Sequence, residues 1–300
     1  MKQTLLVLGA GVLQMPAITT GRQMGLRVVV LDGSPSAPGL HLGDVGRVVN
    51  IADADACLAV AKQENINGVV HICSEVSLHV LGRINDELGL HGIGQAVAIQ
   101  ATNKEKMRRA FEGGGAPSPK SFGATTENEA LHAADNLRWP VIIKPSRNSG
   151  SRGIARLDRQ DDRVAFLAAF HRAVKESRDR GAVVEEFVEG PEFSVEILVW
   201  SGKPHVLAVT DKVTTGAPNF VETGHSQPSR FGESDLKQVE EAAIRGVKAL
   251  GIDWSAAHAE VRLSARGAFL MEIGARLGGG FYYDRTGAAF NGNHYGCRRH

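Results

Sequence analysis

Short aliphatic runs recur along the first hundred positions: Leu5–Leu8, Val28–Leu31, Val48–Ile51 and Val69–Ile72. Each has the length of a strand, and Leu5–Leu8 and Val28–Leu31 place apolar residues consecutively, the pattern of a strand buried on both faces. Between them lie stretches such as Asp55–Glu64, where apolar residues return at helical spacing. Strand and helix in alternation predict a parallel sheet flanked by helices. After the loop Gly92-Ile93-Gly94, Gln95–Phe111 reads as one helix. The breaker cluster Gly113-Gly114-Gly115-Ala116-Pro117-Ser118-Pro119 then marks a boundary or hinge.

A new alternation follows. Phe122 and Ala124 precede a helical Glu127–Asn136, Val141–Ile154 opens as a buried strand and ends as a loop, and Asp161–Arg178 is helical. An apolar strand from Ala182 ends in Glu185 and Glu186, and Gly190-Pro191 turns the chain. Phe193–Val199 and Pro204–Thr210 read as an antiparallel pair around Ser201-Gly202-Lys203. Lys212–Arg230 reads as a long polar loop, a feature that is often functional. Asp235–Leu250 is a helix closed by Gly251, and His258–Arg262 and the run from Phe269 are the last two strands.

Composition narrows the classes. The chain has 300 residues and a formal net charge of +1, so nothing electrostatic argues for a nucleic-acid or membrane partner. Sparse aromatics, 6%, argue against a stacking platform for single strands. Cys57, Cys73 and Cys297 have neither metal nor redox spacing and suit a reducing compartment. Leu5–Leu8 is a first strand, not a signal peptide, and no apolar run is long enough for a membrane span. The expectation is a cytoplasmic protein.

Candidate chemistry centres on Lys144. It ends a strand and is followed by Ser146-Arg147-Asn148-Ser149-Gly150-Ser151-Arg152-Gly153. Glycine lets backbone approach a ligand, while N–H groups, Ser and Arg can surround phosphate oxygens beside the lysine's point charge. Gly9-Ala10-Gly11 and Asp32 invite a dinucleotide reading, but Gln14 stands where a third small residue belongs. A tight strand–helix turn is the simpler reading. Glu260 and Glu272 can sit on neighbouring strands of one hairpin, where two inward carboxylates call for a cation such as Mg2+. The helix bearing Lys104, Lys106, Arg108 and Arg109 reads as a solvated basic face.

The order of these features is what is specific. A helical lysine comes first, then strand Lys-Pro with its Gly/Ser loop. Glu185-Glu186-Phe187-Val188, Gly190 and Glu192 follow, and Glu260 and Glu272-x-x-x-Arg276 close the series. In that order the chain resembles the ATP-grasp superfamily, most closely the carboxylate–amine ligase branch with its L-amino-acid ligases and carbamoyl-phosphate-synthase-like members. Phe220–Pro228 is similar to a segment of the amino-acid-ligase-like members. The likeness runs from Leu5 to Gly280.

The resemblance implies an α/β fold, α+β in its C-terminal half. Residues 1–95 would form a Rossmann-like domain, 96–185 a linker helix and central lid, and 186–280 a C-terminal subdomain, with 281–300 an atypical tail. It further implies that Lys104 and Lys144 touch ATP phosphates and that Ser149, Ser151, Arg152 and Gly153 cover them. Glu185 would accept from the adenine amino group, Phe187 and Val188 would hold the base by backbone, and Glu192 would bind ribose. Glu260 and Glu272 would carry Mg2+, with Mn2+ as a substitute, and Arg276 would face the transferred phosphoryl group. His225 is a candidate for substrate contact or proton handling, alongside the plainer reading of a loop histidine bonded to backbone.

The implied activity is amide formation between a small carboxylate and an amine, amino acids foremost, through an acyl phosphate. The resemblance points to a homodimer, though the sequence itself encodes no oligomeric state. Three alternatives stand beside it: carboxyphosphate or carbamoyl-phosphate chemistry, a defective ATP-binding member, and an NAD(P)-dependent oxidoreductase using Gly9, Gly11 and Asp32. The last leaves residues 141–280 unexplained. Two departures from the family pattern matter. Gly274 stands where many members have a metal-binding Asn, and the chain from Tyr282 lacks either periodicity where relatives continue. A shifted reading frame is the expectation for that tail, which a one-base change in the gene would restore.

Overall fold

The computed structural model describes residues 2–279, apart from Ser149, Ser151, Asp161, Pro218 and Asn219. The tail expectation and the two serines of the phosphate loop therefore lie outside the described residues. Three sheets organise the rest.

The first sheet is parallel, in the order β3-β2-β1-β4. It comprises β1 (Thr4–Leu8), β2 (Arg27–Asp32), β3 (Val45–Val48) and β4 (Gly68–His71), with α1 (Met15–Gln23), α2 (Ala54–Gln63) and α3 (Leu78–Leu88) between or after them. Leu6, Val7, Leu8 and Val28–Leu31 are fully buried, which is why their sequence is continuously aliphatic. β3 lies three residues before the expected Val48–Ile51. Val45 to Val48 take the backbone pairing with β2, while Val49 and Ile51 leave the sheet and pack on the core from a loop.

The glycine turn after β1 is filled by the chain itself. Gly9 has φ +101°, and a Cβ there would meet the Gln14 side chain at 3.2 Å. Gln14 donates to the Ile72 carbonyl (2.5 Å), and Asp32 accepts from the Ala10 and Ser34 N–H groups (2.7 and 2.8 Å). Gln14 and Asp32 thus serve the turn, and the crevice a dinucleotide would need is occupied by side chain.

His71 closes β4, 9% exposed. Burial, and then the charge of Arg276, push its imidazole down to about 4. The folded form is neutral, so stability is full above the unfolded value of about 6.5 and is lost as pH falls toward about 4, by roughly 3 kcal/mol. Urea midpoints at neutral and mildly acid pH are expected to fall accordingly. The fall should be shallower in His71→Gln; equal slopes would rule out this group.

The single helix expected over Gln95–Phe111 is two, α4 (Gln95–Thr102) and α5 (Lys104–Gly113). Asn103 is extended (φ −127°, ψ 113°), and its side chain accepts from the Lys106 N–H, restarting the helix with a side-chain cap.

The central sheet has the order β5-β8-β6-β7, all pairs antiparallel. It is made of β5 (Ser121–Ala124), β6 (Val141–Pro145), β7 (Ala155–Leu157) and β8 (Ala182–Glu186). Helices α6 (Glu127–Asp135) and α7 (Arg163–Glu176) bury Ala130, Phe166 and Phe170 in a core separate from the rest. β6 ends at Pro145 and a loop leads on to β7, in keeping with the strand-then-loop expected over Val141–Ile154.

The third sheet is antiparallel, in the order β11-β10-β9-β12-β13. Its strands are β9 (Glu192–Trp200), β10 (Lys203–Thr214), β11 (Glu222–Ser226), β12 (Ser255–Ser264) and β13 (Gly267–Gly274), and α8 (Glu233–Ala249) packs against it. The stretch expected as a long loop thus holds the end of β10 and all of β11. One apolar core spans the first and third sheets, running from Leu6 and Ile84 to Val195 and Ile273. Gly190 (φ +138°) sits where a Cβ would lie 1.9 Å from the Leu263 carbonyl oxygen, so only glycine makes the turn into β9.

Candidate active site

The central and third sheets face each other across a cleft of about 1060 Å3, counting space open to solvent. Of the expected site residues, Lys104, Lys144, Arg152, Glu185, Phe187, Val188, Glu192, Glu260 and Glu272 line it.

Its inner end is a charge cluster. Lys144 is the penultimate residue of β6 and Glu185 lies on β8, and their side chains meet at 2.5 Å with both residues buried. Arg108 reaches the other Glu185 oxygen through Nε and Nη2 (3.0 and 2.9 Å) and also donates to the Met271 carbonyl (2.8 Å). Lys104, first residue of α5, donates to the Asn148 carbonyl (2.8 Å) and to Glu272 (3.0 Å). Burial alone would raise the Glu185 carboxyl, but Arg108 and Lys144 overcome it and hold it below the ordinary range. Glu272 behaves likewise under Lys104 and Lys144. Lys144 is pulled below a normal lysine by burial, and the nearby Arg108 and Lys104 add to this against the attraction of Glu185. Three cations share two carboxylates. Arg108 is 5% exposed, so the basic face expected to be solvated is partly a wall of the site.

A second cluster forms where the third sheet brings Lys212, Glu192 and Arg262 side by side on β10, β9 and β12. Lys212 contacts Glu192 (2.9 Å), Glu260 (3.0 Å) and Glu222 (3.3 Å), and Arg262 holds the other Glu192 oxygen (2.8 Å). Burial would lower Lys212, but Glu260 and Glu192 outweigh it and raise it above the usual lysine value. Glu192 is held low by Lys212 and Arg262 against its own burial. His258 lies 2.5 Å from Glu196, which raises its pKa in spite of burial. Lys212 and Arg262 carry no motif in the sequence.

Glu260 and Glu272 stand directly opposite each other on β12 and β13, on one face. Among the described residues no three His, Cys, Asp or Glu side chains gather as a metal cluster. Two carboxylates without a protein-only cage fit Mg2+, which takes few protein ligands and completes its shell with phosphate oxygens and water. Gly274 pairs with His258, and a Cβ there would approach Arg276 at 3.4 Å.

At the outer end, the Phe187 ring is flanked by the Arg156 and Arg262 guanidinium groups (4.3 and 5.3 Å), with Phe220 at 6.3 Å. The Phe187 N–H donates to the Pro140 carbonyl (2.9 Å), and Arg262 donates to the Val188 carbonyl (3.0 Å). Arg152 bonds the Asn148 side chain (3.0 Å), and Gly153 holds φ +74°. Gly153, Arg276 and His225 stand beside the cleft rather than in its lining. Arg276 turns to Glu75 of the first domain (3.1 Å), and His225 on β11 pairs with Glu222, which does line the cleft.

Residues 137–284 match the model of the ATP-grasp domain. The chain is 28% identical over 226 residues to alanine–anticapsin ligase of Bacillus subtilis, covering 69% of this chain and 48% of that one. It is 29% identical over 199 residues to a formate-dependent phosphoribosylglycinamide formyltransferase of Synechococcus, covering 65% and 49%. The chain therefore spans about half the length of these curated relatives. The crystal structure of an L-amino acid ligase from Bacillus licheniformis superposes with a TM-score of 0.75 at 27% identity, covering 93% of this chain and 68% of that one.

Proposed function

Because the chain carries an ATP-grasp domain of the carboxylate–amine ligase branch, we propose that it couples ATP cleavage to amide formation. A substrate carboxylate oxygen attacks the γ-phosphorus and ADP leaves. The amine then adds to the acyl carbon, phosphate departs, and the nitrogen gives up a proton. Lys104, Lys144 and Arg276 stabilise the negative charge on the phosphates. Ser149, Ser151, Arg152 and Gly153 cover them and exclude water. Phe187 and Val188 hold the base, Glu192 the ribose, and Glu185 fixes Lys144 and Arg108 at the inner wall. Glu260 and Glu272 hold Mg2+, which supplies Lewis-acid stabilisation of the phosphoryl oxygens. His225, paired with Glu222, makes substrate contact or handles the amine's proton.

The observation that supports this reading best is the unmatched positive charge at the inner end of the cleft, where Lys104, Lys144 and Arg108 share Glu185 and Glu272. A polyphosphate completes that balance. The test is ADP release from Mg-ATP with pooled L-amino acids, dipeptides and small carboxylates. Release that depends on one pool supports the ligase; release that depends on bicarbonate alone marks carboxyphosphate chemistry instead, and none at all counts against both.

Lys144 adds a pH signature. Its proton is weakly held in the free protein, and phosphate oxygens beside it hold that proton more tightly. Affinity for a non-hydrolysable ATP analogue is expected to fall as pH rises through the alkaline range below the ordinary lysine value. The slope should flatten in Lys144→Arg, whose charge does not titrate there. Parallel slopes in the two proteins would assign the effect to another group.

A further inference from the structure

Across the Arg147–Asn148 loop from the nucleotide cleft lies a second hollow, between the first domain and the central sheet. Glu75 and His79 line it from the segment after β4, Thr102 from the end of α4, Arg147 from the loop after β6 and Arg178 from beyond α7. It opens at the carboxyl end of β4, beside the point where the strand order reverses about β1. Open parallel sheets bind ligands at such places.

The polar groups around it are arranged for an anion. Arg147 donates to His79 Nε2 (3.2 Å), and the Thr102 hydroxyl lies 2.9 Å from the same nitrogen. That nitrogen is an acceptor, so the ring is neutral. Burial, with the charges of Arg147, Arg178 and Lys106, keeps it so. The acidic neighbours are already engaged. Glu75 accepts from Arg276 (3.1 Å), and Asp179 accepts from Ser146, from Ser177 (2.7 Å) and from Asn103 (2.9 Å). Among the described residues neither Arg147 nor Arg178 forms a salt bridge. Two guanidinium groups thus face the hollow without a directly paired carboxylate, although the charge of Arg147 helps to hold Asp179 low. Their planar donor forks match carboxylate and phosphate oxygens.

We propose that this hollow binds a second acidic group, carboxylate or phosphate, of a dianionic substrate whose reacting end lies at Arg276. The Glu75–Arg276 contact joins the hollow to the phosphoryl-transfer end of the cleft. The proposal rests on the ligase reading and names its substrate class.

The test needs no turnover. The full chain, saturated with Mg2+ and a non-hydrolysable ATP analogue, is titrated calorimetrically with L-glutamate and O-phospho-L-serine. Their neutral counterparts, L-glutamine and L-serine, are run beside them. At least one acid is expected to bind about tenfold or more tightly than its counterpart. Glutamate preference identifies a carboxylate and phosphoserine preference a phosphate. Arg178→Ala, at an exposed position, should erase the preference without changing affinity for the analogue, and Arg147→Ala should also erase it. Equal binding of acid and counterpart, no binding of either acid, or a preference that survives both substitutions would overturn the proposal. Acid-selective binding without any ADP release would refute the ligase and keep the site. ADP release with neutral substrates alone would do the reverse.

Discussion

Glu272→Ala is expected to lower substrate-dependent ADP release by about a thousandfold or more, the scale of losing a group that stabilises charge in the transition state. The residue does two things at once. It faces Glu260 across β12 and β13, and it holds the Lys104 ammonium at 3.0 Å. Alanine removes half of the carboxylate pair and releases a lysine from the phosphate end of the cleft. Lys104 and Lys144 keep Glu272 ionised against its burial, so its charge is present at every pH at which the protein would be assayed. Glu272→Gln should separate the two effects, since an amide oxygen can still accept from Lys104 but brings no charge to the cation. Its Mg2+ requirement should rise steeply while nucleotide binding changes less. Activity within tenfold of the parent in both variants would remove Glu272 from the chemistry.

Glu185→Leu is expected to cause a large loss of stability, about 3–5 kcal/mol, because it strands two buried cations. Lys144 and Arg108 are both at most 6% exposed and both take Glu185 as their carboxylate. The double substitution Lys144→Met with Glu185→Leu should recover part of that loss, since one unpaired charge disappears with its partner. Denaturant midpoints of the two single variants and the double close the cycle. A double variant as unstable as the sum of the singles would show that the pair is not coupled.

The strands that could be read from the sequence are those whose surroundings are uniform. β1 and β2 are aliphatic runs bounded by turn residues, too short for a helix and buried inside a sheet. β11 could not be read that way. Glu222-Thr223-Gly224-His225-Ser226 is polar throughout, and it is a strand because β10 offers it a backbone edge. The break at Asn103 was available as a capping signal but lay inside an amphipathic pattern that continues across it. Arg108 is the instructive case in the site. It sits one helical turn from Lys104 and shares a stripe with Met107 and Phe111, so its burial was legible from spacing while its basic neighbours suggested solvent. Lys212 and Arg262 were not legible. Their meaning comes from lying beside Glu192 on adjacent strands, and register between distant segments is not written locally.

Helix α5 also sets what can move. Its first turn grips both walls of the cleft, Lys104 through Asn148 on one side and Glu272 on the other. One turn later Arg108 repeats the grip, through Glu185 and the Met271 carbonyl. Swinging the central sheet away would tear both rungs at once and leave their charges bare. The walls therefore behave as a vice of fixed gape, bolted across by a three-turn rod.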